Sequence, residues 1–143
     1  MVLIKNNSRY CNYCGKLLVN RKQKKYCSNE CQGKHKRQIA TDSWLRGEDT
    51  GVKKGMITKR FVKAYIIERD GERCSVCGWN AVNKITGKVP IELDHIDGDS
   101  ENCHPDNLRL LCPSCHSLTE YYGSLNKGNG RGIKQKKLEE SLV

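Results

Sequence analysis

Eight of the nine cysteines in this 143-residue chain stand in close pairs, and those pairs are the first chemistry the sequence offers. Cys11 and Cys14, Cys74 and Cys77, and Cys112 and Cys115 are each separated by two residues, Cys27 and Cys31 by three. Thiolates at these spacings can reach one tetrahedral metal ion from a tight turn or a helix start. Four pairs make two four-sulfur sites, so two structural zinc ions are expected. Cys11, Cys14, Cys27 and Cys31 would hold the first, and Cys74, Cys77, Cys112 and Cys115 the second. The odd count and the absence of a secretory h-region in MVLIKNNSRY argue against a disulfide framework. No apolar run approaches transmembrane length, and the chain reads as cytoplasmic. Cys103 is left over and is expected to be a free thiol.

The charge distribution points to a second kind of site. Lys and Arg number 26 against 16 Asp and Glu, a formal charge of +10. Two zinc ions on eight thiolates would lower this to about +6, still basic. Residues 1–39 carry ten Lys/Arg against Glu30 alone, whereas residues 74–123 carry three against seven acids. The basic ends suggest a polyanionic partner, most often nucleic acid. Lys22, Lys24, Lys25, Lys34, Lys36 and Arg37 in the first segment, and Lys127 and Arg131 in the last, are the expected phosphate contacts. An acidic middle inside a basic chain suggests a further cation site with a catalytic use.

These residues need elements to hold them. Only 36% of the residues are hydrophobic, so the core is small and metal staples are expected to support it. Four segments emerge: a basic four-cysteine zinc module over 1–39, a connector over 40–57, a larger domain over 58–123 and a basic, flexible arm over 124–143. In the first, Cys-Asn-Tyr-Cys-Gly reads as a metal knuckle, Leu17 to Val19 as a short hairpin strand and Ser28 as the N-cap of a helix through Gln38. His35 is expected to be a solvated helix residue. In the connector, Trp44 reads as a small core anchor. Residues 58–69 have helical periodicity ended by Asp70-Gly71. Beyond the second knuckle come a strand ending at Asp94-His95, a polar loop, a strand from Asn107 to Leu111, and a helix starting at Cys112-Pro113 and running through Tyr121. Leu138 to Leu142 could form a last helical turn.

The stretches LDHIDGD and NLRLLCPSCH, inside the frame of Cys74, Cys77, Cys112 and Cys115, resemble the HNH endonucleases, a family named for its His, Asn and His. The three residues would be His95, Asn107 and His116, with Asp94 beside the first. The resemblance covers about residues 58–131, and the tail from Tyr122 to Arg131 looks like that of free-standing phage members. It implies a small α+β fold: a zinc-stapled, treble-clef-like ββα-metal domain behind a separate N-terminal zinc knuckle, hairpin and helix. It also implies metal-dependent hydrolysis of DNA to 5′-phosphate and 3′-hydroxyl ends. Many family members have an asparagine at the position of Cys103.

The chemistry of phosphodiester hydrolysis assigns roles to these residues. His95 would be the general base, because imidazole titrates near neutral pH. Asp94 and His116 would hold one divalent ion, Mg²⁺ or Mn²⁺, and Asn107 would brace the loop against the strand. Arg109 would contact phosphate. Adjacent strand residues point to opposite faces, so Asp94 and His95 share a site only if the strand ends or bends there. Other readings of these residues fit less well. Cys112 to His116 contains a haem-attachment pattern, which requires export. The deaminase spacing is absent, and Asp94, Asp97 and Asp99 do not match a calcium loop. The reading of a different class is a zinc-stapled nucleic-acid-binding or protein-interaction factor that does not cut. Nicking, double-strand cutting and a site-specific, homing-like role all remain open from the sequence.

Overall fold

The computed structural model describes residues 9–54, 57–128 and 140–141. Arg131, the glycine-rich stretch after Gly128 and most of the expected C-terminal turn at Leu138 to Leu142 lie outside the described residues. The chain divides into two compact units, residues 1–42 and 43–143.

In the first unit, the Cys11-to-Cys14 turn is closed by the Gly15 amide on the Cys11 carbonyl. Tyr10 and Leu17 form an antiparallel bridge across it. The chain then enters helix α1, Asn29–Leu45. The Ser28 hydroxyl accepts the Cys31 amide at 3.1 Å, which is the N-cap expected from its residue type. Helix α1 continues well past Ile39, into the stretch read as a loop-rich connector. From Arg37 to Leu45 no glycine or proline interrupts it, and the first breaker is Gly47.

The second unit is built on helix α2, Arg60–Asp70, and the antiparallel pair β3, Glu92–His95, and β4, Leu108–Leu111. A smaller hairpin, β1 (Val52–Lys53) with β2 (Ile57–Thr58), precedes α2. That pairing takes Thr58 out of the helix, so α2 starts two residues later than its periodicity predicts. Val62 and Ile66, one turn apart, are fully buried on its inner face. Gly71, at φ 82°, ends it by donating its amide to Ile67. The core joins Trp44, Val62, Ile66, Val89, Ile91, Cys103, Leu108 and Leu110. Trp44 is the core anchor expected for it, with its indole N–H on the Cys103 carbonyl at 2.8 Å. Arg69 fastens α2 to the sheet through the carbonyls of Pro105 and Leu108.

Two local departures from the sequence reading matter for the site. Asn107 closes a 3-10 turn, Pro105–Asn107, rather than opening β4. The helix after Cys112, α3, spans only Pro113–Ser117. Its end has a local cause: the Ser117 and Thr119 hydroxyls donate to the carbonyls of Ser114 and His116, competing with helical bonding. The chain turns back, and Tyr121 lies directly against Gly98 in the β3–β4 loop. Gly98 has φ 72°, and a Cβ there would collide with the root of the Tyr121 ring. We expect Gly98→Ala to lower stability by about 1–3 kcal/mol through this collision and the left-handed backbone. Denaturant unfolding of the zinc-loaded chain measures it, and an unchanged midpoint would contradict this packing.

Candidate metal and active site

The two cysteine tetrads are the groups of three or more metal-ligating side chains among the described residues, and within each the donor atoms lie within 4.8 Å of one another. Individual separations are 3.4 Å for Cys27–Cys31, 3.6 Å for Cys14–Cys27 and 3.8 Å for Cys77–Cys112. Zinc–sulfur bonds of about 2.3 Å in a tetrahedron require sulfurs roughly 3.8 Å apart. The donor set and its spacing therefore fit zinc at both positions. The same device is built twice. Cys74 repeats the Cys11 turn, with the Gly78 amide on the Cys74 carbonyl, and Cys112 caps α3 with its sulfur accepting the Cys115 amide at 3.4 Å.

The backbone prepares these thiols for metal. The amide of Cys14, with those of Cys27 and Tyr13, outweighs burial and brings Cys11 down to about 6. Burial opposes ionisation of Cys74, but the amides of Cys77, Cys112 and Val76 outweigh it and bring that thiol to about 6 as well. In each tetrad another sulfur moves the opposite way. Cys27 is pushed up to about 12, first by Cys31 and then by Cys14, and Cys115 to about 12 by Cys112 and Cys77. A tetrad without metal thus ionises readily at one sulfur and resists at another, and a divalent cation relieves that repulsion. His35 is outside the first tetrad. Its Nδ1 lies 3.0 Å from the Tyr26 hydroxyl, and the residue is half-buried in helix α1.

The acidic middle assembles around β3 and β4. Asp94 lies opposite Arg109 in the ladder, and the Arg109 Nε donates to Asp94 Oδ2 at 2.7 Å. Asp94 is buried, and its other oxygen faces His116 Nε2 at 3.7 Å. That separation is too long for a hydrogen bond. It suits two ligands of one ion, since bonds of about 2.0–2.2 Å on each side can span up to roughly 4.2 Å. The donor chemistry, one carboxylate oxygen and one imidazole nitrogen, fits a divalent cation.

A residue that the sequence reading passed over completes this side. Glu92 Oε2 lies 2.6 Å from His116 Nδ1. A proton held on Nδ1 by that carboxylate leaves the Nε2 lone pair directed at Asp94, the arrangement that orients metal-binding histidines elsewhere. The signal was present: Glu92 is two positions before Asp94 and therefore on the same strand face. We expect Glu92→Ala, a largely exposed substitution, to weaken Mn²⁺ binding by roughly 10- to 100-fold without changing the melting temperature. Calorimetric titration of the zinc-loaded chain gives the comparison, and equal affinities would remove Glu92 from the site.

His95 is placed differently. Strand β3 extends through it, so its side chain leaves on the face opposite Asp94. Its Nε2 is 3.4 Å from the sulfur of Cys103. Cys103 is a buried free thiol, and burial pushes its pKa up against the Thr58 hydroxyl, so it stays protonated. The structure thus brings His116 and Arg109 directly to Asp94, and His95 joins Asp94 and Arg109 only as part of the wall of one cleft. That cleft, about 420 Å³, is lined by Asp94, His95 and Arg109 among others.

Asn107 sits below the cleft rather than in it. Its Nδ2 donates to Asp97 Oδ1 at 2.9 Å and to the Asn102 carbonyl, while its Oδ1 accepts the Asp97 amide. Its own carbonyl accepts the Ile96 amide. It therefore ties the polar loop to the end of β3, next to His95. Burial works against ionisation of Asp97, but donors from Asn102, Asn107 and Asp99, and nearby His95, outweigh it and hold Asp97 below the usual carboxylate range. Of the basic residues named from sequence, Lys34 is paired with Glu30 at 2.7 Å, and Lys22, Lys24, Lys25, Lys36, Arg37 and Lys127 are exposed.

Residues 81–118 match the HNH endonuclease family. The chain is 41% identical over 56 residues to the H-N-H endonuclease F-TflIV of Escherichia phage T5, a match covering 39% of this chain and 24% of that protein. It is 36% identical over 58 residues to a probable HNH endonuclease of Lactococcus phage SK1, covering 39% of this chain and 62% of that protein. The chain thus spans less than two thirds of the length of these curated relatives. No solved structure matches significantly. No helix among the described residues is long and apolar enough to cross a membrane. The family match lies over the strand, loop, strand and helix that carry Asp94, His95, Asn107 and His116, and over residues 81–118 the chain is similar to the HNH endonucleases.

Proposed function

We propose that this chain is a metal-dependent endonuclease that hydrolyses DNA phosphodiester bonds to 5′-phosphate and 3′-hydroxyl ends. The observation that carries the reading is the approach of Asp94 Oδ1 to His116 Nε2 at 3.7 Å, with Arg109 on the other oxygen of Asp94. Asp94 and His116 would hold one Mg²⁺ or Mn²⁺ ion, with Glu92 orienting His116. When bound, that ion supplies charge neutralisation at the phosphate and at the departing 3′ oxygen. His95 takes a proton from the attacking water. Its contact with Cys103 fixes the ring against a weak partner, because a neutral thiol competes little for the imidazole. Asn107 acts at one remove, holding the loop that positions His95. Arg109 keeps one guanidinium edge on Asp94 and offers the other to phosphate.

The remaining parts serve grip and stability. The two tetrads hold structural zinc, and the second makes the domain a treble-clef-like ββα-metal unit. The basic module over 1–39 and the arm over 124–143, with Lys127 and Arg131, contact phosphates. The protein would work in the cytoplasm of a host cell, where its substrate lies. Chemical analysis of the ends tests the reaction. Products of a labelled duplex should be substrates for ligase, which requires 5′-phosphate and 3′-hydroxyl termini. Ends that ligate only after phosphatase and kinase treatment would rule out this bond polarity.

A further inference from the structure

Of the aliphatic side chains in the cleft wall, two stand out as mostly exposed and unused by the proposed chemistry. Leu118 is 83% exposed and Val76 is 65% exposed, and both line the cleft that holds Asp94, His95 and Arg109. Single exposed apolar residues are ordinary, but two at the lip of a charged cleft have no structural reason to be there. Neither joins the hydrophobic clusters. Both are held firmly. Val76 lies inside the knuckle between Cys74 and Cys77, and the Leu118 amide donates to the Cys115 carbonyl at 3.2 Å. Ile96 and Tyr121 also line the cleft, and the hydroxyl of Thr119, another lining residue, donates to the His116 carbonyl.

Arg109 lines the cleft, and a cation held by Asp94 and His116 would add positive charge beside it for a phosphate. On either side of a phosphate in a nucleic-acid strand lies a sugar. Deoxyribose presents an apolar methylene at C2′, whereas ribose presents a hydroxyl that lines the minor groove of an RNA helix. An aliphatic rim packs against the first and strands the second without a partner. We infer that Val76 and Leu118 form a sugar-facing rim that selects deoxyribose strands over ribose strands. The inference rests on the nuclease reading for its choice of partner.

The test uses the full, zinc-loaded chain and its Val76→Ser/Leu118→Ser variant with matched duplexes, about 20 base pairs long, of DNA and of RNA. Binding is read by fluorescence anisotropy without added divalent ion, and cleavage separately with Mn²⁺. The wild type should bind DNA roughly tenfold more tightly than RNA, about the effect of one unpaired hydroxyl. The variant should bring that ratio close to one, with zinc content and melting temperature unchanged. A wild type without preference, a preference that survives both substitutions, or no binding to either duplex would overturn the rim. Selective binding that the variant loses, with no cleavage by the wild type, would sustain the rim and defeat the nuclease reading instead.

Discussion

Replacing Cys112 with serine is expected to unfold the second unit. Cys112 is buried in a small cluster with Cys74 and Leu111, against which Cys115 packs, and its sulfur both faces Cys77 and caps α3. Besides these sulfurs, the amide and hydroxyl of Ser75 tie the knuckle to β4 at the Leu110 carbonyl, and the larger cluster among the described residues has only eight buried members. Domains of this size are stable by about 5–15 kcal/mol in total. A structural zinc site contributes about 10–16 kcal/mol of folding free energy when its ligands are intact. Losing a ligand therefore removes an amount comparable with the whole margin. The expected result is loss of one zinc equivalent together with the near-ultraviolet circular dichroism of Trp44 and its aromatic neighbours Phe61 and Tyr65. A chelator strong enough to strip zinc should do the same to the wild type. A serine variant that binds one zinc fewer yet melts at the wild-type temperature would show that the tetrad is not a staple.

His95→Ala is expected to have the second large effect, of a different kind. Removing a general base lowers the rate by about 10²–10⁴-fold. The fold should tolerate the change, because His95 ends its strand and is not itself one of the buried core residues, touching the core through Cys103. Mn²⁺ affinity should also survive, because Asp94, His116 and Glu92 lie on the other face of β3. Asp94→Ala should instead lose metal affinity and cleavage together, and should free the Arg109 guanidinium now held at 2.7 Å. Single-turnover cleavage and metal titration on both variants separate the two roles. Loss of metal binding in His95→Ala would move that histidine from base to ligand.

The parts legible in the sequence were those fixed by spacing. Cysteine pairs at two or three residues imply a tetrad whatever the surrounding fold, because the metal sets the geometry. Trp44 and the inner face of α2 were legible from residue type and helical period. What escaped was decided by contacts between segments. Glu92 belongs to the site because α3 lays His116 over β3, a packing that period-two alternation permits but does not announce. Helix α3 stops at Ser117 because hydroxyls bond back to its carbonyls, an event that helix propensity does not register. Helix α1 runs to Leu45 because no breaker intervenes, although its composition looked like a connector. The opposite orientations of Asp94 and His95 follow from a strand that keeps its alternation up to His95, its last residue, where a bend before it would have placed them side by side.

The central claim is metal-dependent DNA cleavage by this cleft, and nicking of supercoiled plasmid by the zinc-loaded chain tests it most directly. The wild type should convert supercoiled to open-circular or linear plasmid with Mg²⁺ or Mn²⁺ and leave it intact without them. His95→Ala and Asp94→Ala, purified in the same way and with the same zinc content, should leave it intact throughout. Equal conversion by wild type and both variants would contradict the account, as would a wild type that binds plasmid and natural host DNA but cuts neither.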